Sequence, residues 1–165
     1  MKSLPKGDES PLFHIVLFNP DIPGNTGSIG RTCVGLNIRL HLIHPLGFDL
    51  SEKSVRRAGL DYWQHLDLKE HQSWDDFITS EEIEDKKDLI FYSRFKQDNL
   101  YYKAPYKKNC YLIFGSETKG LPAPLLEKFE SQCYGLPLYS EHIRSLNLAN
   151  TATAAAYECL RQLLP

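Results

Sequence analysis

Short apolar runs alternate with longer stretches of helical spacing along most of this chain. Residues 13–18 (FHIVLF) are rich in strand formers and stop at Asn19-Pro20. A loop, PDIPGNTG, follows, and residues 28–36 then read as a helix with Cys33 and Leu36 inward. Residues 39–44 (RLHLIH) alternate at period two and end at Pro45, which predicts a second strand. Strands are also expected over 88–93 (DLIFYS), 109–114 (NCYLIF) and 132–136. Helices are expected over 54–58, 74–83 and 122–129, the last with proline near its first turn. Strands alternating with helices predict an α/β fold, a mainly parallel sheet with helices on both faces.

The longest helical pattern closes the chain. Leu146, Ala149, Thr153, Ala156, Leu160 and Leu163 recur at helical spacing and give the helix one apolar stripe. Ser145 stands just before it, where a hydroxyl would cap the first turn. Asn147 and Asn150 share a face in the first turns, and Ala152, Ala154, Ala155 and Ala156 thin the helix for close approach. A packing helix does not need two amides and Arg144 at its mouth. A polar ligand is expected there.

Two more segments join a strand to a helix. GNTGSIGR (24–31) lies where backbone N–H groups and a helix dipole can hold a phosphate. Its spacing is not G-x-G-x-x-G, and a tight turn alone would explain it. FGSETKGLP (114–122) would lie at the carboxyl end of a strand, where open α/β sheets bind ligands. There Glu117 could hold a neighbouring arginine or cap the following helix, and two left-handed glycines would account for the loop. Three such segments could converge on one pocket.

Composition narrows the classes. A chain of 165 residues with 42% hydrophobic and 24% charged residues suits one globular domain. That domain is expected over 12–165, after a disordered lead-in over 1–11. The net charge of −2 means that any nucleic-acid partner must meet a local basic patch. Lys53, Arg56 and Arg57 beside Tyr62 and Trp63 form one, with Arg94, Lys96, Lys103, Lys107, Lys108, Lys119 and Arg144 elsewhere. Interleaved cations and aromatics suit phosphate contact and base stacking. Cys33, Cys110, Cys133 and Cys159 are far apart, which favours free thiols in a reducing cytosol. The six histidines show no metal-ligand spacing, so no metal is expected. No run approaches a membrane span, no secretory signal opens the chain, and no G-x-S-x-G elbow marks a hydrolase.

Taken in order, NPDIPGNTGSIGRTC, PLGF, RRAGLDYW, FGSETKGLP and RSLNLANTATAAAYE resemble the three motifs of SPOUT methyltransferases. The resemblance is to the small tRNA 2′-O-methyltransferases of the TrmL (YibK-like) group, and it spans nearly the whole chain. Gly24, Ala149 and Leu138 depart from the residues common there. The resemblance implies a C-terminal deep trefoil knot, a homodimer in the cytoplasm, and S-adenosyl-L-methionine as donor, leaving S-adenosyl-L-homocysteine. It implies methylation of the wobble nucleotide in the tRNA anticodon loop (position 34, cytidine or modified uridine), with no metal and no membrane partner. By motif, Asn25, Arg31, Glu117, Ser145 and Asn147 match catalytic and substrate-side positions. Backbone around Tyr92, Gly115, Leu136 and Ser145 would hold the cofactor. Arg31, Arg56, Arg57, Arg144 and Tyr157 would contact tRNA. Another tRNA or rRNA site, a catalytically silent RNA-binding relative, and a flavodoxin-like mononucleotide binder remain as alternatives.

Overall fold

The structure, a computed structural model, describes residues 10–50 and 61–164. Its sheet has six strands: β1 (His14–Phe18), β2 (Arg39–Ile43), β3 (Leu68–His71), β4 (Leu89–Tyr92), β5 (Tyr111–Phe114) and β6 (Cys133–Tyr134). They lie in the order β3-β2-β1-β5-β4-β6, and every neighbouring pair is parallel. The α-helices are α1 (Pro23–Leu36), α2 (Trp74–Ser80), α3 (Ala123–Lys128) and α4 (Leu148–Leu163).

Helices cover both faces, as alternation of the elements implies. On one face Ile29 and Cys33 of α1 and Ala152, Ala156 and Cys159 of α4 pack on Ile15, Leu17, Leu40 and Leu112. On the other, Phe77 of α2 and half-buried Leu125 and Leu126 of α3 meet Val16, Ile43, Phe91 and Ile113. A parallel sheet covered twice needs apolar residues at every strand position. That corrects the period-two reading of β2, where Leu40, His41, Leu42 and Ile43 are all buried. The small side chains of α4 let α1 lie against it, and Thr32 Oγ1 meets Thr153 Oγ1 at 2.9 Å.

Several boundaries move for physical reasons. Helix α1 begins at Pro23, not at 28, so GNTG forms helical turns instead of a loop. Proline needs no N–H partner at that first position. Helix α4 begins at Leu148, and its N-cap is Asn147, not Ser145. Leu146 therefore falls outside the stripe and is exposed. Strand β3 (LKEH) was not expected, because an edge strand covered less fully keeps polar residues. Helix α2 ends at Ser80 and is capped by Ser73, whose hydroxyl accepts from the Asp76 N–H. The helix expected over 54–58 lies outside the described residues.

Three histidines run across β1, β2 and β3 on the α2 face. His14 Nδ1 meets His41 Nε2 at 3.1 Å, His41 Nδ1 meets His71 Nε2 at 2.9 Å, and His71 Nδ1 meets Ser80 Oγ at 3.0 Å. Burial pushes His14 down to about 4, helped by the Arg39 charge. Burial, then the neighbouring His14 and His71, pushes His41 down to about 2. Below the ordinary imidazole value of 6.5, the unfolded chain takes up protons that these folded rings refuse. Their contribution is therefore fully present above that pH and is lost as the pH falls towards 4. Each ring adds a slope of about 1.4 kcal/mol per pH unit in that window. Urea unfolding in chelating buffer between pH 7 and 4.5 should show uptake of about two protons on unfolding. A His14→Phe chain should take up about one fewer, and an unchanged slope would contradict this account.

Candidate active site

A cavity of about 400 Å³ opens at the carboxyl ends of β4, β5 and β6. Its walls are the segments that follow those strands, the residues just before and within the start of α4, and Ile22 and Asn25 at the start of α1. Open α/β sheets place ligands at this edge, where neighbouring connections leave in different directions.

The loop after β5 sets the geometry. A Cβ on Gly115 would stand 2.1 Å from the Gly120 carbonyl carbon, so the two arms of the loop close on a residue without a side chain. The Ser116 and Gly120 backbones exchange two hydrogen bonds, at 3.3 and 2.9 Å. Only Gly120 is left-handed, with φ of 69°. Close approach, not positive φ, is what requires Gly115.

This loop carries Glu117 to the start of α1. Glu117 Oε2 accepts from the Asp21 N–H at 2.7 Å. Glu117 Oε1 accepts from the Ile22 N–H at 3.2 Å and from Asn25 Nδ2 at 3.1 Å. Thr118 Oγ1 adds a bond to Asp21 Oδ2 at 2.5 Å. Helix α1 has no cap from its own N-cap side chain, so a distant carboxylate satisfies the backbone donors leading into it and complements the dipole. Two expectations are corrected. The mouth of α1 is occupied by a carboxylate and is no phosphate cradle. Glu117 holds neither a neighbouring arginine nor the helix that follows it.

Asn25 passes the connection on. Its Oδ1 accepts from Asn147 Nδ2 at 2.9 Å. Asn147 Oδ1 accepts from the N–H groups of Ala149 at 2.8 Å and Asn150 at 3.2 Å, which caps α4. One hydrogen-bonded line thus joins the loop after β5, the start of α1 and the start of α4.

The opposite wall is aromatic and backbone. The Tyr92 ring stacks on Phe114 with centroids 4.5 Å apart. Its hydroxyl meets Tyr106 Oη at 2.7 Å, and Tyr106 in turn donates to the Tyr101 carbonyl at 2.8 Å. Burial pushes the Tyr92 phenol well above its ordinary value, so it stays protonated. Residues 133–138 lie against the segment that follows β4. The Ser93 N–H donates to the Tyr134 carbonyl, the Gly135 N–H to the Asn99 carbonyl, and the Tyr101 N–H to the Gly135 carbonyl, all within 3.0 Å. A Cβ on Gly135 would stand 2.3 Å from the Lys96 carbonyl oxygen.

Asn25, Tyr92, Gly115, Glu117, Leu136, Ser145 and Asn147 all line this one cavity. Arg31 does not. It lies on the exposed side of α1, its guanidinium 5.4 Å from the Tyr62 ring centroid, and Tyr62 donates to the Gly27 carbonyl at 2.6 Å. Arg144 is exposed outside the lining, and Tyr157 is exposed on α4. Lys53, Arg56 and Arg57 lie outside the described residues. The site reading missed Phe95 and Gln97, which line the cavity directly after β4, and named Arg94 beside them only among the scattered cations. The Arg94 guanidinium sits 4.7 Å from the Phe95 ring centroid, and Gln97 Oε1 accepts from the Leu138 N–H at 2.9 Å. The signal was their place at a strand's carboxyl end.

The chain is similar to known proteins over most of its length. A tRNA (cytidine(34)-2′-O)-methyltransferase of Burkholderia cenocepacia is 40% identical over 152 residues, covering 92% of this chain and 96% of the relative. A relative from Listeria monocytogenes is 46% identical over 149 residues, covering 90% and 87%, and bears the same name marked as provisional. A solved structure described as addressing 2-OH methylation of C/U34 on tRNA aligns with a TM-score of 0.79 and 39% identity. That alignment covers 91% of this chain and 95% of the other. The description "SpoU rRNA Methylase family" matches residues 12–157, and the chain belongs to that family.

Proposed function

We propose that this chain transfers a methyl group from S-adenosyl-L-methionine to the ribose 2′-hydroxyl of the wobble nucleotide, position 34, of tRNA. The observation that carries the reading is the hydrogen-bonded line Glu117–Asn25–Asn147, which gathers three distant segments around one cavity. The names of relatives 40–46% identical over nine-tenths of the chain support the reaction and the nucleotide.

The cavity suits the donor. Its volume is that of a small-ligand site. Tyr92, Phe114, Leu121 and Leu136 give an apolar wall for an adenine, and Ser93, Ser116 and Ser145 give polar groups for the rest of the molecule. Gly115 and Gly135 mark where backbone is packed too closely for side chains. Bound there, the donor supplies an electrophilic sulfonium methyl and leaves as S-adenosyl-L-homocysteine. What the protein adds is alignment, which contributes about 7–11 kcal/mol in favourable cases.

The residues divide by what they touch. Both oxygens of Glu117 accept N–H groups, so it positions α1 and is not the base. Asn147 has its oxygen on α4 and its amide on Asn25, so it positions the mouth of that helix. The Arg31 guanidinium is a planar fork of donors that matches phosphate geometry and offers no acceptor. We assign it to a substrate phosphate, with the hydroxyl proton leaving through that phosphate. A homodimer fits exposed Ile22, Ile143 and Leu146 near the cavity and Tyr157 on α4. A second copy docked there would bring further cations to the tRNA. A trefoil knot fits the hydrogen bonds of Tyr134 and Gly135 with the segment after β4, and a cytoplasmic location fits the substrate.

Mass mapping of tRNA from cells lacking the protein should show loss of the ribose methyl at position 34, restored by the purified protein and donor. Restoration at a different nucleotide would move the substrate assignment. Asn147→Asp should keep the cap and unfold near the wild-type temperature. Its carboxylate would face Asn25 Oδ1, and Asn25 cannot turn its amide without presenting that oxygen to Glu117. Donor affinity should therefore fall at least about tenfold, the factor set by about 1.4 kcal/mol. Asn147→Ala should also lose about 1 kcal/mol of stability. Wild-type donor affinity in both variants would remove Asn147 from the site. Arg31→Ala should lower kcat/KM for tRNA by about 10²-fold, the scale of a misplaced substrate, with donor affinity unchanged by calorimetry. Wild-type turnover would exclude the phosphate role.

A further inference from the structure

The β2–β3 edge of the sheet carries a cluster that methyl transfer does not use. His41 on β2, His71 at the end of β3 and Glu81, the C-cap of α2, meet on the α2 face. His41 Nδ1 lies 2.9 Å from His71 Nε2, and Glu81 Oε1 lies 3.9 Å from each. The three side chains are 0, 1 and 6% exposed. We propose that these three atoms bind one divalent cation of the zinc class, which pins the end of α2 to the edge of the sheet.

Three observations support the site independently of the methyl-transfer reading. The first is size. A point equidistant from the three donor atoms stands about 2.1 Å from each, the length of zinc bonds to imidazole nitrogen and carboxylate oxygen. Two imidazoles with one carboxylate suit a borderline transition cation, whereas magnesium and calcium take oxygen donors.

The second is the outer partner of each ring. A ligating histidine keeps its proton on the other nitrogen and donates it outward. His41 Nε2 already meets His14 Nδ1 at 3.1 Å, and His71 Nδ1 meets Ser80 Oγ at 3.0 Å. Both rings can then turn lone pairs inward by a change of tautomer along the row. Neutral rings bind without releasing a proton.

The third is the state of Glu81, which has an exchangeable charge partner and no hydrogen bond. Its Oε1 is buried and has no hydrogen-bond partner. A buried carboxylate oxygen requires compensation by a cation. Lys69 Nζ lies 2.5 Å away, near enough to pair by charge but not aligned as a hydrogen bond. The lysine side chain is 41% exposed on a long stem, so it can swing into solvent when a metal takes the oxygen. The linear sequence could not show this site, because its ligands come from three elements with no short spacing between them.

The full chain, stripped of metal by a chelator and dialysed, would be titrated with zinc by calorimetry and with cobalt by visible absorption. We expect one equivalent bound per chain, with cobalt absorption of a nitrogen-ligated site, and a rise in unfolding temperature on zinc addition. Glu81→Gln should weaken zinc binding at least about tenfold, and Ser80→Ala about 10- to 100-fold, as removal of an outer partner does. Lys69→Met, which removes the competing ammonium, should tighten it. The proposal is overturned if neither wild type nor Lys69→Met binds zinc. It is equally overturned if Glu81→Gln, folded by circular dichroism, binds zinc as tightly as wild type, since the ion would then sit elsewhere.

Discussion

A carboxylate nearly a hundred residues downstream holds the first helix of this chain. Glu117 receives the backbone donors of Asp21 and Ile22 and the amide of Asn25. Strands β1 and β5 are neighbours in the sheet, so the loop after one and the helix after the other begin side by side. Without Glu117 the mouth of α1 would leave orphan N–H groups facing a cavity, and Asn25 would lose the partner that fixes its amide. Asn147 would then face an Asn25 free to turn. A negative group at a helix N-terminus contributes about 0.3–1 kcal/mol at a surface and up to about 2 kcal/mol when partly buried. Here the same contact also fixes the amide of Asn25 and, through it, that of Asn147.

The cavity is built less from reactive side chains than from close backbone. Gly115 and Gly135 stand where a Cβ would collide with another chain segment, and the hydrogen bonds around Gly135 tie residues 133–138 to the segment after β4. Such walls are stiff, which serves a reaction whose barrier depends on alignment. The side chains that do appear mostly hold loops. The chain's net charge is −2, so its cations act locally: Arg94 and Lys119 line the cavity, while Arg31 stands on α1 and Arg144 before α4.

Legibility in the sequence follows how local each cause is. Strands β1, β4 and β5 show as apolar runs because the sheet is covered on both faces. The residues LKEH of β3 carry no such mark, since the edge position that makes them a strand is a fact of the neighbouring strand. The start of α1 reads as a turn because PGNTG has turn composition, and the carboxylate that makes it helical comes from Glu117. Ser145 and Asn147 are both good capping residues. The contact with Asn25 coincides with the choice of Asn147, and no window of local sequence contains it. The family resemblance named most of the lining, because motif order preserves what tertiary contact requires. It did not tell that Arg31 stands off the cavity, beside Tyr62.

The two halves of the sheet solve the same problem in different ways. Beyond β5, strands β4 and β6 pair in parallel, and the segment after β4 is hydrogen-bonded along Tyr134 and Gly135. Beyond β1, strand β3 is four residues long and mostly polar, with α2, seven residues long, on the face that carries the histidines. Hydrophobic burial alone holds such an edge weakly, and short helices add little by themselves. The row of His14, His41 and His71 fills this gap with hydrogen bonds that need no water, ending on Ser80 of the helix. Imidazole suits the task because each neutral ring offers one donor and one acceptor and can pass a fixed direction along the row. The polar interior of this edge is therefore a structural element in its own right, and Glu81 Oε1, paired by charge with Lys69 but given no hydrogen bond, is where an additional cation has most to contribute.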